Sequence, residues 1–459
     1  MRVCVVGSGG REHALALALA RSAEVVVAPG NPGMATGGAG SDGGAGGGGG
    51  LGSVTCAGVP VEEVEADLFV IGPEQPLVEG LADRLRARGQ LVLGPGADGA
   101  RLEGSKAWMK EVLAAAGVRS AAHAVFEGLD AALAHLRSVE PPYVIKTDGL
   151  AGGKGVLVTW SLEDAEADLA AKLSGAAFGD AGRRVVIEEG LVGTELSLMV
   201  LCDGERLVPL APAQDFKRLG DRGTGPNTGG MGAYSPVPSV GEHLVDTVID
   251  TAVAPLVAEL RRRGIDYRGV LYAGLMLTED GPAVVEFNIR FGDPEAQVIL
   301  PRLADATDLA DLFAQAAAGN LSDTASFTDD SCVCVVLAAQ GYPADPVRGG
   351  LIEGLDRAAE VRGAQVLHAG TALSPDGSGL LVSAGGRVLN AVGLGPMLAD
   401  ASDNAYRAAR CISFPGVQYR RDIAADAIRA EFEELISGRA RACNAEMVGG
   451  SHTCEDGDW

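Results

Sequence analysis

The chain has 459 residues, 47% of them apolar and 21% charged, with a formal net charge of −24. That length calls for two to four cores, and no run of about 18 apolar residues is available to span a membrane. So acidic a chain is also unsuited to nucleic acid, whose phosphates need lysine and arginine. An anionic substrate would meet an unfavourable long-range field, so the basic residues that serve it must be gathered at the site.

The N-terminus opens directly on an apolar strand, Val3 to Val6, without a basic leader or a separate apolar segment. No signal peptide is expected there, and the expected address is cytoplasmic. Glu12–Arg21 reads as a helix, Val25–Ala28 as a second strand, and Leu68–Ile71 and Leu91–Leu93 as two more, with a helical pattern over Leu77–Arg88. Alternating β and α units predict an α/β fold opening on a doubly wound parallel sheet. Between Gly37 and Gly52 the chain is almost pure glycine, a composition expected to form a mobile loop.

A second block starts near Gly104 with a helix over Lys106–Ala116, a strand over Tyr143–Lys146, a helix over Asp164–Leu173 and a strand over Arg184–Glu188. Glu195–Leu210 reads as two antiparallel strands turning at Asp203–Gly204. A polar loop, Asp215–Ala233, precedes a long helix, Val245–Arg263, and the strands Val270–Leu277 and Ala283–Asn288. From about Ser331 to Arg421 short strands and turns dominate, with helices near Pro396–Arg410 and Ala424–Ile436. Beyond about Arg439 periodicity is lost, and a disordered tail over 439–459 is expected. None of the eight cysteines (4, 56, 202, 332, 334, 411, 443 and 454) stands in a C-x-x-C pair. They are read as small buried thiols, Cys332 and Cys334 sharing one strand face.

Four segments carry chemistry. Gly7-Ser-Gly9-Gly10-Arg11-Glu12 follows a strand and opens a helix. It fails the dinucleotide fingerprint, because Glu12 stands at the third glycine position and no acidic residue closes the second strand. What remains is a tight turn presenting backbone N–H groups and Arg11 to a phosphate or carboxylate. His13, inside that helix, is read as structural. The second segment, Asp148-Gly149-Leu-Ala-Gly152-Gly153-Lys154-Gly155, lacks Walker A spacing. Its glycines nevertheless let the backbone approach a triphosphate, with Lys154 and Lys146 supplying charge. In the third, Glu286, Asn288 and Arg290 alternate with Val285, Phe287 and Ile289. Strand period two then turns a carboxylate and an amide oxygen to one face, a hard-oxygen site suited to Mg²⁺ or Mn²⁺ shared with nucleotide phosphates. Arg290 stands beside them for a phosphoryl group or a carboxylate. The fourth is the polar run 214–232, where Asp215, Lys217, Arg218 and Asn227 offer both signs to a phosphorylated substrate.

In this order the motifs resemble the glycinamide ribonucleotide synthetase (phosphoribosylamine–glycine ligase) family of the ATP-grasp superfamily. They are V-G-x-G-G-R-E-H-A at the N-terminus, P-G-N-x-G at 29–33, G-P-E at 72–74, E-G-S-K at 103–106 and D-G-L-A-x-G-K-G-V at 148–156, then T-G-P-N-T-G-G-M-G-A-Y-S-P at 224–236 and E-F-N-x-R-F-G-D-P-E at 286–295. The resemblance runs from residue 1 to about 428. It implies an N-terminal substrate domain (1–103), a two-lobed α+β ATP-grasp unit (104–328) with a mobile lid at about 123–192, and a small C-terminal mixed β/α domain (329–428). It also implies the reaction: ATP, glycine and 5-phosphoribosylamine give ADP, phosphate and glycinamide ribonucleotide through a glycyl phosphate. A monomer is expected.

By motif position the resemblance places Lys106 and Lys146 on ATP phosphates, with Gly149, Gly152, Gly153, Lys154 and Gly155 as the lid loop. Glu188, Glu189 and Leu191 form the adenine hinge and Glu195 the ribose contact. Glu286 and Asn288 hold the metal. Arg290 and Asp293, with Lys154, serve the reacting groups, and Gly10, Arg11, Glu12, Asp215, Lys217, Arg218, Asn227, Thr228 and Gly229 take phosphoribosylamine. Gly190 departs from the family pattern, standing where the hinge often carries an aromatic residue. Two rivals remain: an ATP-grasp ligase with another substrate pair, and a nucleotide-binding regulator without turnover. ADP release that depends on glycine and phosphoribosylamine separates them.

Overall fold

The computed structural model describes residues 1–35, 52–151, 155–175, 182–433 and 435–436. The glycine tract beyond residue 35, the loop residues Gly152, Gly153 and Lys154, and the tail from 437 lie outside the described residues, and with them the expectations of a mobile loop and a disordered tail.

Five short apolar strands, β1 (Arg2–Gly7), β2 (Glu24–Pro29), β3 (Val54–Cys56), β4 (Leu68–Ile71) and β5 (Leu91–Leu93), form a sheet in the order β3-β2-β1-β4-β5. Every pairing is parallel. Strand order reverses between β1 and β4, so their carboxyl ends open a crevice of the kind where ligands bind in doubly wound sheets. Helix α1 (Gly10–Leu19) leaves from the first of these ends and α2 (Glu74–Val78) from the second. The helical pattern over Leu77–Arg88 is split in two, because Gly80 takes a left-handed conformation before α3 (Leu81–Ala87). Two more helices, α4 (Ala97–Gly104) and α5 (Lys106–Ala115), lead out of the domain.

The next sheet has the order β6-β9-β7-β8 and is antiparallel throughout: β6 (His123–Phe126), β7 (Tyr143–Thr147), β8 (Val156–Thr159) and β9 (Val185–Glu188). It packs on α6 (Leu129–Leu136) and α7 (Leu162–Leu173) around its own small core of Ala132, Leu136, Tyr143, Ile145, Ala165, Leu169, Val185 and Ile187. A lobe with a separate core can move as a unit.

The chain then makes β10 (Thr194–Asp203) and β11 (Leu207–Pro209), turning at Asp203–Gly204 as the sequence predicts. The run 214–235, expected to be a loop, contains four short strands: β12 (Gln214–Asp215), β13 (Arg218–Gly220), β14 (Thr224–Asn227) and β15 (Gly232–Ser235). Its polar side chains concealed backbone pairing that packing alone does not demand. The predicted helix Val245–Arg263 becomes α8 (Glu242–Val248), a π turn at Ile249–Val253 and α9 (Ala254–Arg262). Pro255 has no N–H for the Thr251 carbonyl, so the regular ladder is interrupted there.

Two long strands, β16 (Arg268–Thr278) and β17 (Gly281–Asn288), complete the sheet β11-β10-β16-β17. The last sheet, β12-β15-β18-β22-β19, joins β12 and β15 to β18 (Ser331–Ala338), β19 (Ala364–His368) and β22 (Arg387–Gly395). The C-terminal sheet is therefore not built from the C-terminal segment alone. A hairpin, β20 (Thr371–Leu373) with β21 (Leu381–Ser383), stands apart from it. Among the described residues no helix is long and apolar enough to cross a membrane. Cys4, Cys202, Cys332 and Cys334 are buried, whereas Cys56 is exposed at the edge of the first sheet.

His13 is buried and its Nδ1 accepts the backbone N–H of His368 at 2.9 Å, tying α1 to the C-terminal domain. Burial, then the neighbouring His368, hold the His13 imidazole down to about 3, and burial holds His368 at about 4. In the unfolded chain both titrate near 6.5. Below that pH the unfolded state gains protons that the folded state refuses, so stability should be complete above pH 6.5 and fall on acidification. The slope should reach about 1.4 kcal/mol per pH unit for each histidine. Urea unfolding at pH 7 and pH 5 should show a smaller acid loss for His13→Asn than for the parent; equal losses would exclude a neutral His13 in the fold.

Candidate active site

A cavity of about 870 Å³ lies between the β6–β9 lobe, the β10-β11-β16-β17 sheet and the crevice of the first sheet. Its wall includes Lys106, Lys146, Gly149, Gly155, Glu188, Glu189, Leu191, Glu195, Asp215, Lys217, Arg218, Asn227, Thr228, Gly229, Glu286, Asn288, Arg290, Asp293 and Arg11. Residues from four distant stretches of sequence are thus brought to one space.

At the lobe end, Glu188 at the close of β9 is buried between two lysines, with Lys146 Nζ at 2.9 Å and Lys110 Nζ at 3.1 Å. Burial opposes its charge, but Lys146 and Lys110 together hold its carboxyl below the usual range. Burial likewise pulls Lys110 down to about 8 against the pull of Glu188. The Glu188 side chain is engaged in this triad and positions Lys146, whose Nζ also reaches the Val285 carbonyl at 3.1 Å, while residues 188–191 stay in the cavity wall. Lys110 was missed by sequence reasoning, although Lys106 and Lys110 stand one helical turn apart in a chain with only six lysines. Asp148 pins the glycine loop by accepting from the Ala107 N–H at 2.8 Å and from Ser105 Oγ at 3.0 Å.

Gly190 is sterically required. A Cβ there would run into the Pro142 ring and its carbonyl oxygen. Gly190→Phe should therefore weaken ATP binding, by roughly tenfold or more, through displacement of the hinge. Isothermal titration with a non-hydrolysable ATP analogue checks this, and tighter binding would show that the site wanted an aromatic.

In the middle of the cavity the expected alternation fails at one residue. Gly274 pairs with Glu286 but Leu275 pairs with Val284, leaving Val285 as the extra residue of a β-bulge. Val284, not Val285, packs into the core with Phe287 and Ile289, while Val285 joins the cavity wall. Glu286 keeps its predicted face, 3.5 Å from Lys106 Nζ. Burial opposes its ionisation, yet Lys106, Lys217, Lys146 and Arg290 together hold it at about 2. The Asn288 amide shares this wall and hydrogen-bonds to no other side chain or backbone group among the described residues. Among those residues no cluster of three metal-ligating side chains occurs. Glu286 and Asn288 fit a divalent cation on condition that phosphate oxygens complete its shell.

Arg290 is already engaged, with Glu103 at 2.8 Å and Glu74 at 3.2 Å. Burial disfavours its charge, but Glu103 and Glu74 more than compensate, so the guanidinium stays protonated. Glu74 and Glu103 stand in the G-P-E and E-G-S-K motifs, but sequence reasoning assigns no role to either. Asp293 accepts from Gln297 Nε2 at 2.6 Å and from Arg387 Nη2 at 3.0 Å.

The remaining predicted residues divide. Arg11 donates to the Phe291 carbonyl at 3.1 Å and stays in the wall, whereas Gly10 and Glu12 do not line the cavity. Glu12 caps its own helix, accepting the Gly9 N–H at 2.7 Å, and Gly10 packs against Asn390 and Gln297. Lys217 bonds to Glu195 at 2.6 Å and lies 3.7 Å from Asp215. Burial pushes Asp215 up to about 7 despite Lys217. Arg218 and Asn227 donate to the Val158 and Val156 carbonyls of edge strand β8, at 3.3 Å each. They join the β13–β14 hairpin to the lobe, a contact that polarity alone could not reveal. Thr228 Oγ1 donates to the Lys217 carbonyl at 2.8 Å, shaping the turn that carries Gly229.

A phosphate-ready cleft between a small antiparallel lobe and a larger sheet, roofed by lysines and floored by a carboxylate–amide pair, defines the ATP-grasp class of nucleotide-dependent enzymes. The biotin carboxylase domain of 2-oxoglutarate carboxylase from Hydrogenobacter thermophilus shares this fold, with a TM-score of 0.62 at 16% identity over 91% of each chain. Within that class the chain belongs to the phosphoribosylglycinamide synthetase family: residues 1–103 match its N domain, 104–296 its ATP-grasp (A) domain and 332–426 its C domain. The chain is 46% identical to phosphoribosylamine–glycine ligase of Pseudomonas aeruginosa over 437 residues, 94% of this chain and 99% of that one. The crystal structure of phosphoribosylamine–glycine ligase from Thermotoga maritima superposes with a TM-score of 0.77 at 34% identity, covering 92% of this chain and all of that one.

Proposed function

We propose that this protein ligates glycine to 5-phosphoribosylamine with ATP, yielding glycinamide ribonucleotide, ADP and phosphate, a step of de novo purine biosynthesis. The observation that carries this reading is family membership in all three domains, with both chains covered almost end to end by the Pseudomonas relative. Cations gathered at one cavity suit an acidic chain that works on small anions; the proposed setting is the cytoplasm and the proposed state a monomer.

In this reading ATP lies under the β6–β9 lobe with its phosphates near Lys106 and Lys146, and by motif position Lys154, outside the described residues, serves them too. Residues 188–191 border the base and Glu195 the ribose. Glu286 and Asn288 would hold Mg²⁺ or Mn²⁺, which supplies charge neutralisation at the phosphates when bound. A glycine carboxylate oxygen attacks the γ-phosphorus and the bond to the ADP oxygen breaks, giving glycyl phosphate and ADP. The phosphoribosylamine nitrogen then attacks the glycyl carbonyl carbon, phosphate leaves with the bonding pair, and the nitrogen loses one proton. The chain contributes no nucleophile. Arg290, clamped by Glu74 and Glu103, is a preorganised cation beside the reacting carboxylate, and Asp293 orients the turn next to it. Sustained ADP release that needs glycine and freshly generated phosphoribosylamine together, with glycinamide ribonucleotide as product, tests the reading; continuous turnover with glycine alone, or with neither, would overturn it.

A further inference from the structure

Arg387 opens β22 in the C-terminal domain and reaches the cavity wall, although nothing in its sequence neighbourhood suggests a ligand. Its Nη1 donates to the Gly229 and Asp293 carbonyls, both at 2.6 Å, and its Nη2 to Asp293 Oδ2 at 3.0 Å. The Gly229 N–H in turn donates to the Tyr342 hydroxyl at 3.0 Å, so the C-terminal domain grips Gly229 on both its backbone groups. A guanidinium carries five N–H donors. Three are used here, and the Nε–H with the second Nη2–H has no partner among the described residues. Nε and Nη2 share one edge of the guanidinium, the edge whose fork matches two oxygens of one phosphate or carboxylate.

Position selects the oxyanion. Along residues 286 to 293 the paired cations change from Lys106 at Glu286, through Arg290, to Arg387 at Asp293. Lys106, paired at Glu286, is on the nucleotide side in the proposed function, and Arg387 is paired at the other end of this run, from the C-terminal domain. We propose that Arg387 binds the phosphate of the ribosylamine substrate through this free fork, and that its grip on Asp293 and Gly229 fixes the fork in place. The proposal rests on the function given above.

The test uses full-length enzyme with ribose 5-phosphate as a stable probe, glycine as the competing oxyanion, and the product glycinamide ribonucleotide. Arg387→Gln should weaken binding of ribose 5-phosphate and of product by roughly 10- to 100-fold, with ATP and glycine constants within about twofold. Arg387→Lys should recover only part of the loss, since it keeps charge without the fork. A Cβ on Gly229 would lie 3.1 Å from the Arg387 Cζ, so Gly229→Ala should weaken the same two ligands with Arg387 intact. Weakening of glycine instead would assign the fork to the amino-acid carboxylate and overturn the proposal, as would equal weakening of every ligand together with a lowered Tm. A parent enzyme that makes no glycinamide ribonucleotide would refute the function itself, a separate outcome from an unchanged Arg387 variant.

Discussion

Glu286→Gln is expected to lose roughly 10²-fold or more in kcat, about 3 kcal/mol of barrier, with the fold intact. Glu286 is the one carboxylate on its strand face, and four cations hold it ionised at about 2. Glutamine keeps the shape but leaves Lys106 without its counter-charge and removes the anionic donor from the proposed Glu286/Asn288 pair. The packing that secures β17 lies on the other face, through Val284, Phe287 and Ile289, so circular dichroism should be unchanged, while Tm should fall, because a carboxylate held at about 2 stabilises the fold at neutral pH. Steady-state assays over a range of Mg²⁺ and Mn²⁺ concentrations check the result. Near-parental turnover at ordinary Mg²⁺ would remove Glu286 from the metal and from the activation of ATP.

A second large effect is expected from Glu188→Gln, this time on stability as well as turnover. Lys110 and Lys146 are fully or almost fully buried, and Glu188 is the carboxylate that both ion pairs share. Leaving two ammonium groups in that interior should cost on the order of 3–5 kcal/mol. Lys146 should also lose its fixed position, raising the KM for ATP. Removing one of the stranded charges, in Lys110→Met with Glu188→Gln, should recover part of the stability. Denaturant unfolding of the two single variants and the double variant closes a cycle in which the couplings are read directly. A double variant no more stable than Glu188→Gln alone would show that Lys110 is not held by this carboxylate.

Much of the site was legible because phosphate chemistry demands residue types that a core does not. Glycines 149 and 155, Lys146, Glu286 and Asn288 were each marked by a turn, a charge or a strand period, Lys106 by the E-G-S-K motif, and all six line the cavity. Helix and strand positions were legible for the same local reason, apolar periodicity, and failed where local rules compete. Pro255 broke a helix that periodicity continued, and polar side chains in 214–235 masked strands held by backbone pairing, β12 to β15, β15 to β18 and β13 to β14. The bulge at Val285 is invisible in a sequence that alternates correctly on both sides of it.

What the sequence by itself determined is the chemical inventory: a few lysines and glycine turns in an acidic chain, in an order that marks the family. The division of labour among charges was decided only by tertiary structure. Nothing in the sequence pairs Glu188 with Lys110 and Lys146, and Arg290 reads as an open anion receptor until Glu74 and Glu103 arrive from other elements. Arg387 stands about 94 residues beyond Asp293 and on a different domain. A buried charge takes its role from whichever opposite charge shares its low-dielectric surroundings, and chain separation carries no information about that partner.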